Sequence, residues 1–296
     1  MLLSDILELY IKEQSVKNNS AATIEYYKKR ITYFINSVGD KNIKDININD
    51  YNNYVLYLKN KKTSKGLNLS SATIKTSVNA VKIFLCFCYK KHYTDINFTE
   101  IKPYKMDKKT IVILSDKEIQ ILLNSQCDVT TVGVRNLLTI CLMLDAGLRV
   151  SEVCNLNVED INEDLNLIKV FGKGHKERLV PLTPAILDYY KKYIFLMGIN
   201  SGALLLNFET NERLTPSGIS QILRRIKKKC GFKKLHPHYL RHTFATKFLI
   251  NGGDPIHLQL ILGHTSLYMT EQYLHLANQM TLADKSKFSP LSNIQK

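Results

Sequence analysis

The sequence predicts a mainly α-helical protein of two domains, the first all helical and the second a mixed α/β domain, mostly helical with a small antiparallel sheet. Three observations predict this: the length of 296 residues, the helical spacing of apolar residues along most of the chain, and one interruption by strand-like runs. At roughly 150 residues per domain, the chain has room for two domains. A composition of 45% hydrophobic and 23% charged residues excludes collagen, coiled coil and full disorder.

The first domain is predicted over residues 1–102. Capping residues and i, i+3, i+4 spacing predict its helices: a short one capped by Ser4, one opened by Ser20 or Thr23, one over about 49–61, and one starting at Ser71. Residues 103–112 follow, with Pro103 at their start, lysines and little periodicity. This segment is the predicted interdomain linker.

The second domain is predicted over residues 113–296. Ser115 and Glu118 form a capping box, and a long apolar helix over about 132–146 stops at Gly147. The spacing of apolar residues then changes from that of a helix to that of strands. The predicted strands are 165–171 and 178–182, and the turn between them begins at Gly172-Lys173-Gly174, so a hairpin is predicted. Helices resume where a cap or turn residue precedes a proline suited to a first helical turn: Thr183-Pro184, Thr215-Pro216, His236-Pro237 and Asp254-Pro255.

The charge balance indicates a polyanionic partner. The formal net charge is +15, with 17 basic and 9 acidic residues in 1–105 and 24 and 17 in the remainder. A chain that is basic in both halves predicts nucleic acid contacted by more than one domain. The alternative is a chain that is lysine-rich through genome composition alone.

The cysteines and the apolar runs predict a cytoplasmic protein. None of the six cysteines forms a C-x-x-C pair, so they are interpreted as reduced and mostly buried. No run approaches the roughly 18 apolar residues of a membrane span, and the N-terminus lacks a signal-peptide cleavage site.

Arginine is rare in this chain, with 8 arginines among 41 basic residues, so its positions are informative. Arg149 follows an apolar helix and Arg241 lies within a half-apolar one. A guanidinium is a planar fork that matches phosphate oxygens two at a time. The alternative is that each arginine pairs with a local acid, and Glu152 lies one helical turn from Arg149.

Three further residues accompany the arginines, and several enzyme classes are excluded. His238 shares a helix face with Arg241, His264 follows a helix end, and Tyr273 comes nine residues later. Zinc-ligand spacing, a G-x-S-x-G elbow and a P-loop are all missing from the sequence. The residues predict a phosphate-binding site with no metal and no cofactor. Taken singly, each histidine could instead be a polar helix-end residue and the tyrosine a half-buried aromatic.

Five segments together resemble the tyrosine recombinase, or phage integrase, family: GLRVSE (147–152), GKGHKER (172–178), HPHYLRHTFAT (236–246), LGH (262–264) and Tyr273. The resemblance covers nearly the whole chain and is strongest to the compact Xer-type recombinases. It implies a SAM-like core-binding domain that binds DNA, followed by a catalytic domain with the tyrosine recombinase or type IB topoisomerase fold. The end of that domain would be a C-terminal segment exchanged between protomers.

The resemblance also implies roles for six catalytic residues in forming a covalent 3′-phosphotyrosine. These are Tyr273 as nucleophile, Arg149 and Arg241 as a clamp on the phosphate oxygens, His264 as a further hydrogen-bond donor, His238 as base, and Lys173 in the hairpin turn as general acid. Glu152 would orient Arg149.

The implied function is site-specific recombination of double-stranded DNA with paired half-sites. Four protomers would be needed, as a homo-tetramer or as a hetero-tetramer with a related recombinase, without a cofactor, metal or membrane. The alternatives are a type IB topoisomerase and a non-catalytic DNA-binding regulator on an integrase scaffold. The sequence leaves open the target site and the choice among chromosome-dimer resolution, integration or excision, and inversion.

Overall fold

Two units of the chain, Met1–Lys109 and Thr110–Lys296, each form their own core in the computed structural model. The structure describes residues 1–64, 66–105, 111–172, 176–264 and 266–281. The division between the units falls within the predicted linker, 103–112, of which residues 106–110 lie outside the described ranges.

The first unit is helical, as predicted. Its helices are α1 (Leu3–Val16), α2 (Ala21–Val38), α3 (Ile48–Asn60) and α4 (Ser71–Lys90), with single 3-10 turns at Ile43–Asp45 and Phe98–Glu100. Ser20, rather than Thr23, is the N-cap of α2, because its hydroxyl accepts a hydrogen bond from the backbone N–H of Thr23. Four predicted helices are therefore confirmed, and one boundary among them needs correction.

The prediction that Ser4 caps a short helix is wrong. The N-cap of helix α1 is Leu2, two residues before the predicted cap, and the helix is 14 residues long. The Leu3 N–H donates to the Lys41 carbonyl, and the Ser4 hydroxyl donates to Asp40 at 2.6 Å. Backbone pairing with the segment after α2 therefore fixes the helix start, a long-range contact that local capping rules do not include.

Aromatic side chains fill the core of the first unit. The Tyr10 ring meets Tyr27, Phe84 and Phe87 edge to face, with ring centroids 5.1–5.6 Å apart. This geometry places the positive edge of one ring against the negative face of the next. These contacts join α1, α2 and α4 around one core.

The second unit contains eight helices and three strands in its described residues. The helices are α5 (Asp116–Asn124), α6 (Thr131–Leu144), α7 (Val150–Asn155), α8 (Pro184–Met197), α9 (Pro216–Cys230), α10 (Pro237–Ile250), α11 (Pro255–Leu262) and α12 (Leu267–Met280). The strands are β1 (Ile161–Asn162), β2 (Leu167–Phe171) and β3 (Glu177–Pro181), in the antiparallel order β1-β2-β3.

The proline-marked helix starts are confirmed. Each of the four helices has the predicted residue as N-cap and proline in its first turn: Thr183, Thr215, His236 and Asp254. The capping box of Ser115 and Glu118 is also present at α5. The sequence does not predict the short helix α7 or the two-residue strand β1.

The hairpin of β2 and β3 fixes the position of Arg178 in the second unit. Val170 of β2 pairs with Arg178 of β3, and Ile168 pairs with Val180. Ile168, Val170 and Val180 are buried in the main core, so the hairpin is anchored by apolar side chains. In the part of the chain that the structure describes, no helix is long and apolar enough to span a bilayer.

Candidate active site

The first element of the site is the turn at Gly147, which follows α6. Helix α6 ends at Leu144, and Gly147 then adopts φ +66°, a conformation that side-chain-bearing residues rarely adopt. A Cβ at this position would lie 2.3 Å from the Phe244 ring, so glycine is required for packing as well. The turn directs the Gly147 carbonyl to Arg241, whose Nη1 donates to it at 2.6 Å.

Glu152 is the acidic centre of the site. Arg149, the N-cap of α7, donates to it from its backbone N–H at 2.8 Å and from Nη1 at 2.7 Å. Arg178 donates to both carboxylate oxygens, at 2.9 and 2.8 Å, and Arg241 Nη1 lies 3.8 Å away. Burial would raise the pKa of Glu152, but the hydrogen bonds from Arg178 and Arg149 outweigh it and hold the pKa below its usual value.

The same three arginines bind the C-terminal end of α11. Three consecutive carbonyls each accept from a different guanidinium: Ile261 from Arg178 Nε at 2.7 Å, Leu262 from Arg241 Nη2 at 2.7 Å, and Gly263 from Arg149 Nη2 at 3.2 Å. These carbonyls have no partner within the helix and carry the negative end of its dipole. The arginines are therefore fixed in the free protein by the backbone as well as by Glu152.

Positive charge remains after this pairing. Three guanidiniums around one carboxylate leave a net charge of two. Arg241 is only 4% exposed, and burial followed by the neighbouring Arg149 lowers its pKa to about 10, so it stays charged at neutral pH. Its two carbonyl bonds use two of the five N–H groups of a guanidinium. The Arg149 side chain is 34% exposed.

His264 and Tyr273 pack against each other beside the arginines. Their rings stack with centroids 6.2 Å apart and planes 13° apart. His264 Nδ1 shares a 3.0 Å hydrogen bond with the hydroxyl of buried Thr270. Burial, followed by the charges of Arg241 and Arg149, lowers the pKa of His264 to about 4, so its imidazole is neutral at physiological pH.

Tyr273 is buried, and its hydroxyl is hydrogen-bonded to His242, which is not among the six residues predicted from the sequence. His242 Nδ1 lies 2.8 Å from the Tyr273 oxygen, and the Tyr273 side of α12 packs on α10. Tyr273 is 6% exposed. Burial raises the pKa of its hydroxyl, and the charges of Arg241 and Arg149 partly oppose that rise.

His238 lies at the exposed rim of the site. Its ring centroid is 6.3 Å from that of His242, one turn further along α10. Partial desolvation, followed by Arg241 and Arg149, lowers its pKa. Within the described residues, the histidine that shares a hydrogen bond with the Tyr273 hydroxyl is His242 and not His238. The role of His238 as a base stays a prediction.

Lys173 lies outside the described residues, and its role as general acid stays a prediction. Its described neighbours Gly172 and Lys176 line a cleft of about 710 Å³ that also contains Arg149, Arg178 and His264. Among the described residues, no group of three histidine, cysteine, aspartate or glutamate side chains is placed to hold a metal ion.

The structure therefore brings five of the six predicted residues to one region and adds two, Arg178 and His242. A signal for Arg178 is present in the sequence, because it is an arginine in a hairpin otherwise rich in lysine. A weaker signal marks His242, which lies four residues after His238 and thus on the same helix face.

The fold and the site define a class of protein. A mostly helical domain that places a buried tyrosine beside clustered arginines is typical of enzymes that cleave and rejoin phosphodiesters with a tyrosine nucleophile. Comparisons with known proteins agree. Residues 112–280 match the phage integrase family. The chain is 30% identical over 271 residues to tyrosine recombinase XerC of Staphylococcus haemolyticus, covering 89% of each protein.

Solved structures extend the comparison over both units. The crystal structure of XerA recombinase is 26% identical, covers 97% of this chain and 99% of that one, and gives a TM-score of 0.54. XerH site-specific recombinase, bound to palindromic difH substrate in a post-cleavage complex, shares the fold at 23% identity and a TM-score of 0.71, covering 94% and 83% of the chains. The chain belongs to the phage integrase family, as a tyrosine-type site-specific recombinase of the Xer type. The family and enzyme class predicted from the sequence are confirmed.

Proposed function

We propose that this recombinase cleaves and rejoins duplex DNA through a covalent bond between Tyr273 and a 3′-phosphate. The observation that carries the proposal is the buried Tyr273 hydroxyl beside a fixed cluster of arginines. DNA as substrate is supported by the XerH structure, which contains a recombinase bound to its difH substrate. The net charge of +15 suits the same partner.

In the cleavage step, the Tyr273 oxygen attacks phosphorus, and the bond from phosphorus to the 5′-oxygen breaks. The phenol proton leaves to a base, for which His238 is the predicted group. The departing 5′-oxygen takes a proton from Lys173, the predicted general acid. A 5′-hydroxyl of the partner duplex then attacks the phosphotyrosine, restores the phosphodiester and releases Tyr273, so no external energy source is consumed.

The arginine cluster stabilises the charge that develops during this transfer. A phosphodiester carries one negative charge, and a second develops as the tyrosine oxygen adds. Two net positive charges from Arg149, Arg178, Arg241 and Glu152 match that change. Because the donors are already held by backbone carbonyls, they need little reorganisation at the moment of reaction.

Further basic residues extend the DNA-binding surface. Helix α9 and the segment after it carry a run of exposed cations: Arg224, Arg225, Lys228, Lys233 and Lys234. Contacts of this kind go mostly to phosphates and position the protein on the duplex, whereas base contacts specify the site. The six cysteines are free thiols, which suits a reducing cytoplasm.

A gel assay on a nicked DNA site tests the proposal. A nick next to the scissile phosphate lets a short strand diffuse away, so a covalent protein–DNA adduct accumulates. An adduct separates the enzyme from a non-catalytic DNA-binding regulator. Exchange between two sites on different duplexes then separates a recombinase from a type IB topoisomerase, which relaxes supercoiled DNA without a partner duplex.

Cleavage is expected to proceed at an unchanged rate in excess EDTA and without ATP, because the protein's own guanidiniums supply the positive charge that a metal ion supplies in many phosphoryl transfers. The measurement is the single-turnover rate of adduct formation with and without chelator, at saturating DNA. A strict need for Mg²⁺ in the cleavage step would contradict this mechanism, whereas a Mg²⁺ effect on DNA affinity alone would not.

We propose that four protomers assemble on two duplexes and exchange their C-terminal segments. A groove of about 640 Å³ in the second unit is lined by apolar side chains that include Tyr189, Phe244 and Phe248. Residues 282–296 follow the last described residue and contain Leu282, Phe288 and Leu291. The proposed occupant of the groove is this segment of a neighbouring protomer.

Deleting the residues after Gln279 tests the exchange. The truncated protein is expected to stay folded and to bind a single half-site with unchanged affinity. It is expected to lose cooperative binding of two half-sites, and with it recombination, as measured by gel shift and by a two-site assay. Unchanged cooperativity would contradict the exchange, and unfolding on truncation would favour a segment that packs on its own domain.

A further inference from the structure

We propose that His242 is a positioning residue for Tyr273, accepting the hydrogen bond of the phenol at Nδ1 and thereby fixing the oxygen that attacks phosphorus. This inference rests on the proposed role of Tyr273 as nucleophile and adds a residue to the six predicted from the sequence. His242 acts through Tyr273, and no contact between His242 and the DNA is proposed.

The first support is geometric. His242 on α10 and Tyr273 on α12 are 2.8 Å apart at Nδ1 and the phenol oxygen, with ring centroids 5.6 Å apart. On another side, the phenol ring stacks on His264 with planes 13° apart. Stacking fixes the plane of the ring, and the His242 bond fixes the direction of the O–H within that plane. Together they leave the oxygen one orientation.

The second support is the charge state of His242. It is partly buried. The cationic or titratable groups around it are His236 at the N-cap of α10, His238 and Arg241 on α10, and Tyr273 and His264 from the α11–α12 side. Burial, followed by His238, His236 and Arg241, lowers its pKa to about 4. The imidazole is therefore neutral at working pH and can accept a hydrogen bond at Nδ1 while Nε2 carries the proton.

The same charge state argues against His242 as the base. A group with a pKa of about 4 takes a proton weakly from a phenol whose own pKa is raised by burial. A hydrogen bond, in contrast, requires only an acceptor at the right place. The contribution of His242 is therefore expected to depend on acceptor geometry and not on basicity.

Three substitutions separate acceptor geometry from basicity and from packing. In His242→Asn, the amide oxygen occupies the place of Nδ1 without a basic nitrogen. In His242→Gln, the same amide is displaced by one methylene, and His242→Leu keeps volume without any acceptor. His257→Leu is the matched control, since His257 is an exposed histidine at the start of α11.

The experiment uses the full chain and measures single-turnover adduct formation on the nicked site at saturating DNA, with DNA affinity and circular dichroism determined for each variant. The rate of adduct formation by His242→Asn is expected to lie within about tenfold of the wild-type rate. The rates of His242→Gln and His242→Leu are expected to be lower by about a hundredfold or more. DNA affinity is expected to stay unchanged in all of them, and His257→Leu to cleave like wild type.

Wild-type cleavage by His242→Leu would overturn the inference. Should His242→Leu fail to fold, the two amide variants still decide: equal rates for Asn and Gln would overturn it, whether both are fast or both are slow. The proposed function fails separately, if Tyr273→Phe still forms the adduct. Loss of the adduct in Tyr273→Phe with normal cleavage by the His242 variants would overturn the positioning role alone.

Discussion

Tyr273→Phe is expected to bind DNA with wild-type affinity and to form no covalent adduct. The substitution removes one oxygen, which is the proposed nucleophile, and leaves the arginine cluster unchanged because its hydrogen bonds go to Glu152 and to backbone carbonyls. Protein–DNA contacts go largely to phosphates, so the loss of one hydroxyl is expected to change the affinity little. The measurement is adduct formation on the nicked site, with affinity determined by gel shift in parallel.

The contrary outcome for this variant would be equally informative. Adduct formation by Tyr273→Phe would show that another tyrosine attacks, and two neighbours can be tested next. Tyr268 is exposed on the first turn of α12, whereas the Tyr239 hydroxyl donates to the Ile113 carbonyl at 3.2 Å. Tyr268 is therefore the better substitute, because its side chain is exposed whereas that of Tyr239 is buried.

Arg241→Lys is expected to lower the cleavage rate by roughly 10²–10³ although the charge is kept. The guanidinium bonds the Gly147 and Leu262 carbonyls through two nitrogens and still has N–H groups for a phosphate. A lysine ammonium is a single point of charge with three donors, and it cannot bridge both carbonyls and the phosphate. The single-turnover cleavage rate at saturating DNA measures the loss. Arg149→Lys is expected to behave in the same way.

Arg213→Lys is a matched control for this substitution. Arg213 also binds backbone carbonyls at a helix end, those of Cys154 and Leu156, but it donates its further bond to Asn157 and not to Glu152. It is expected to lose stability without losing cleavage. Near-wild-type cleavage by both Arg149→Lys and Arg241→Lys, at equal DNA occupancy, would show that these arginines only cap α11.

Helix starts can be predicted because their signals are local. A side-chain cap followed by proline acts within one turn, and this signal marks all four such starts in the second unit. Strand β1 and helix α7 could not be predicted, because segments of two and six residues are too short to show a periodic spacing of apolar residues. The start of α1 differs from its prediction because partners 36 to 38 residues away fix it.

The candidate site is predictable where motifs mark it and not where distant backbone completes it. Pairing of Arg149 with Glu152 is the sequence-based alternative to phosphate binding, and the structure shows the pairing together with a partly exposed Arg149 side chain. The convergence of three arginines on the end of α11 cannot be predicted. Every residue has a backbone carbonyl, so the residue types do not show which carbonyls bind an arginine. The hydrogen bond between His242 and Tyr273 likewise joins two residues that are 31 positions apart and lie on different helices.

The attachment of three guanidiniums to consecutive carbonyls of α11 has a consequence for engineering. Carbonyl oxygens and one carboxylate hold the three guanidiniums. In the proposed function these groups bind the sugar-phosphate backbone, which every DNA sequence shares. A reacting centre built in this way is expected not to distinguish one base from another. Substitutions that retarget the enzyme to a new sequence are therefore expected to leave residues 261–264, Glu152 and Arg178 unaltered.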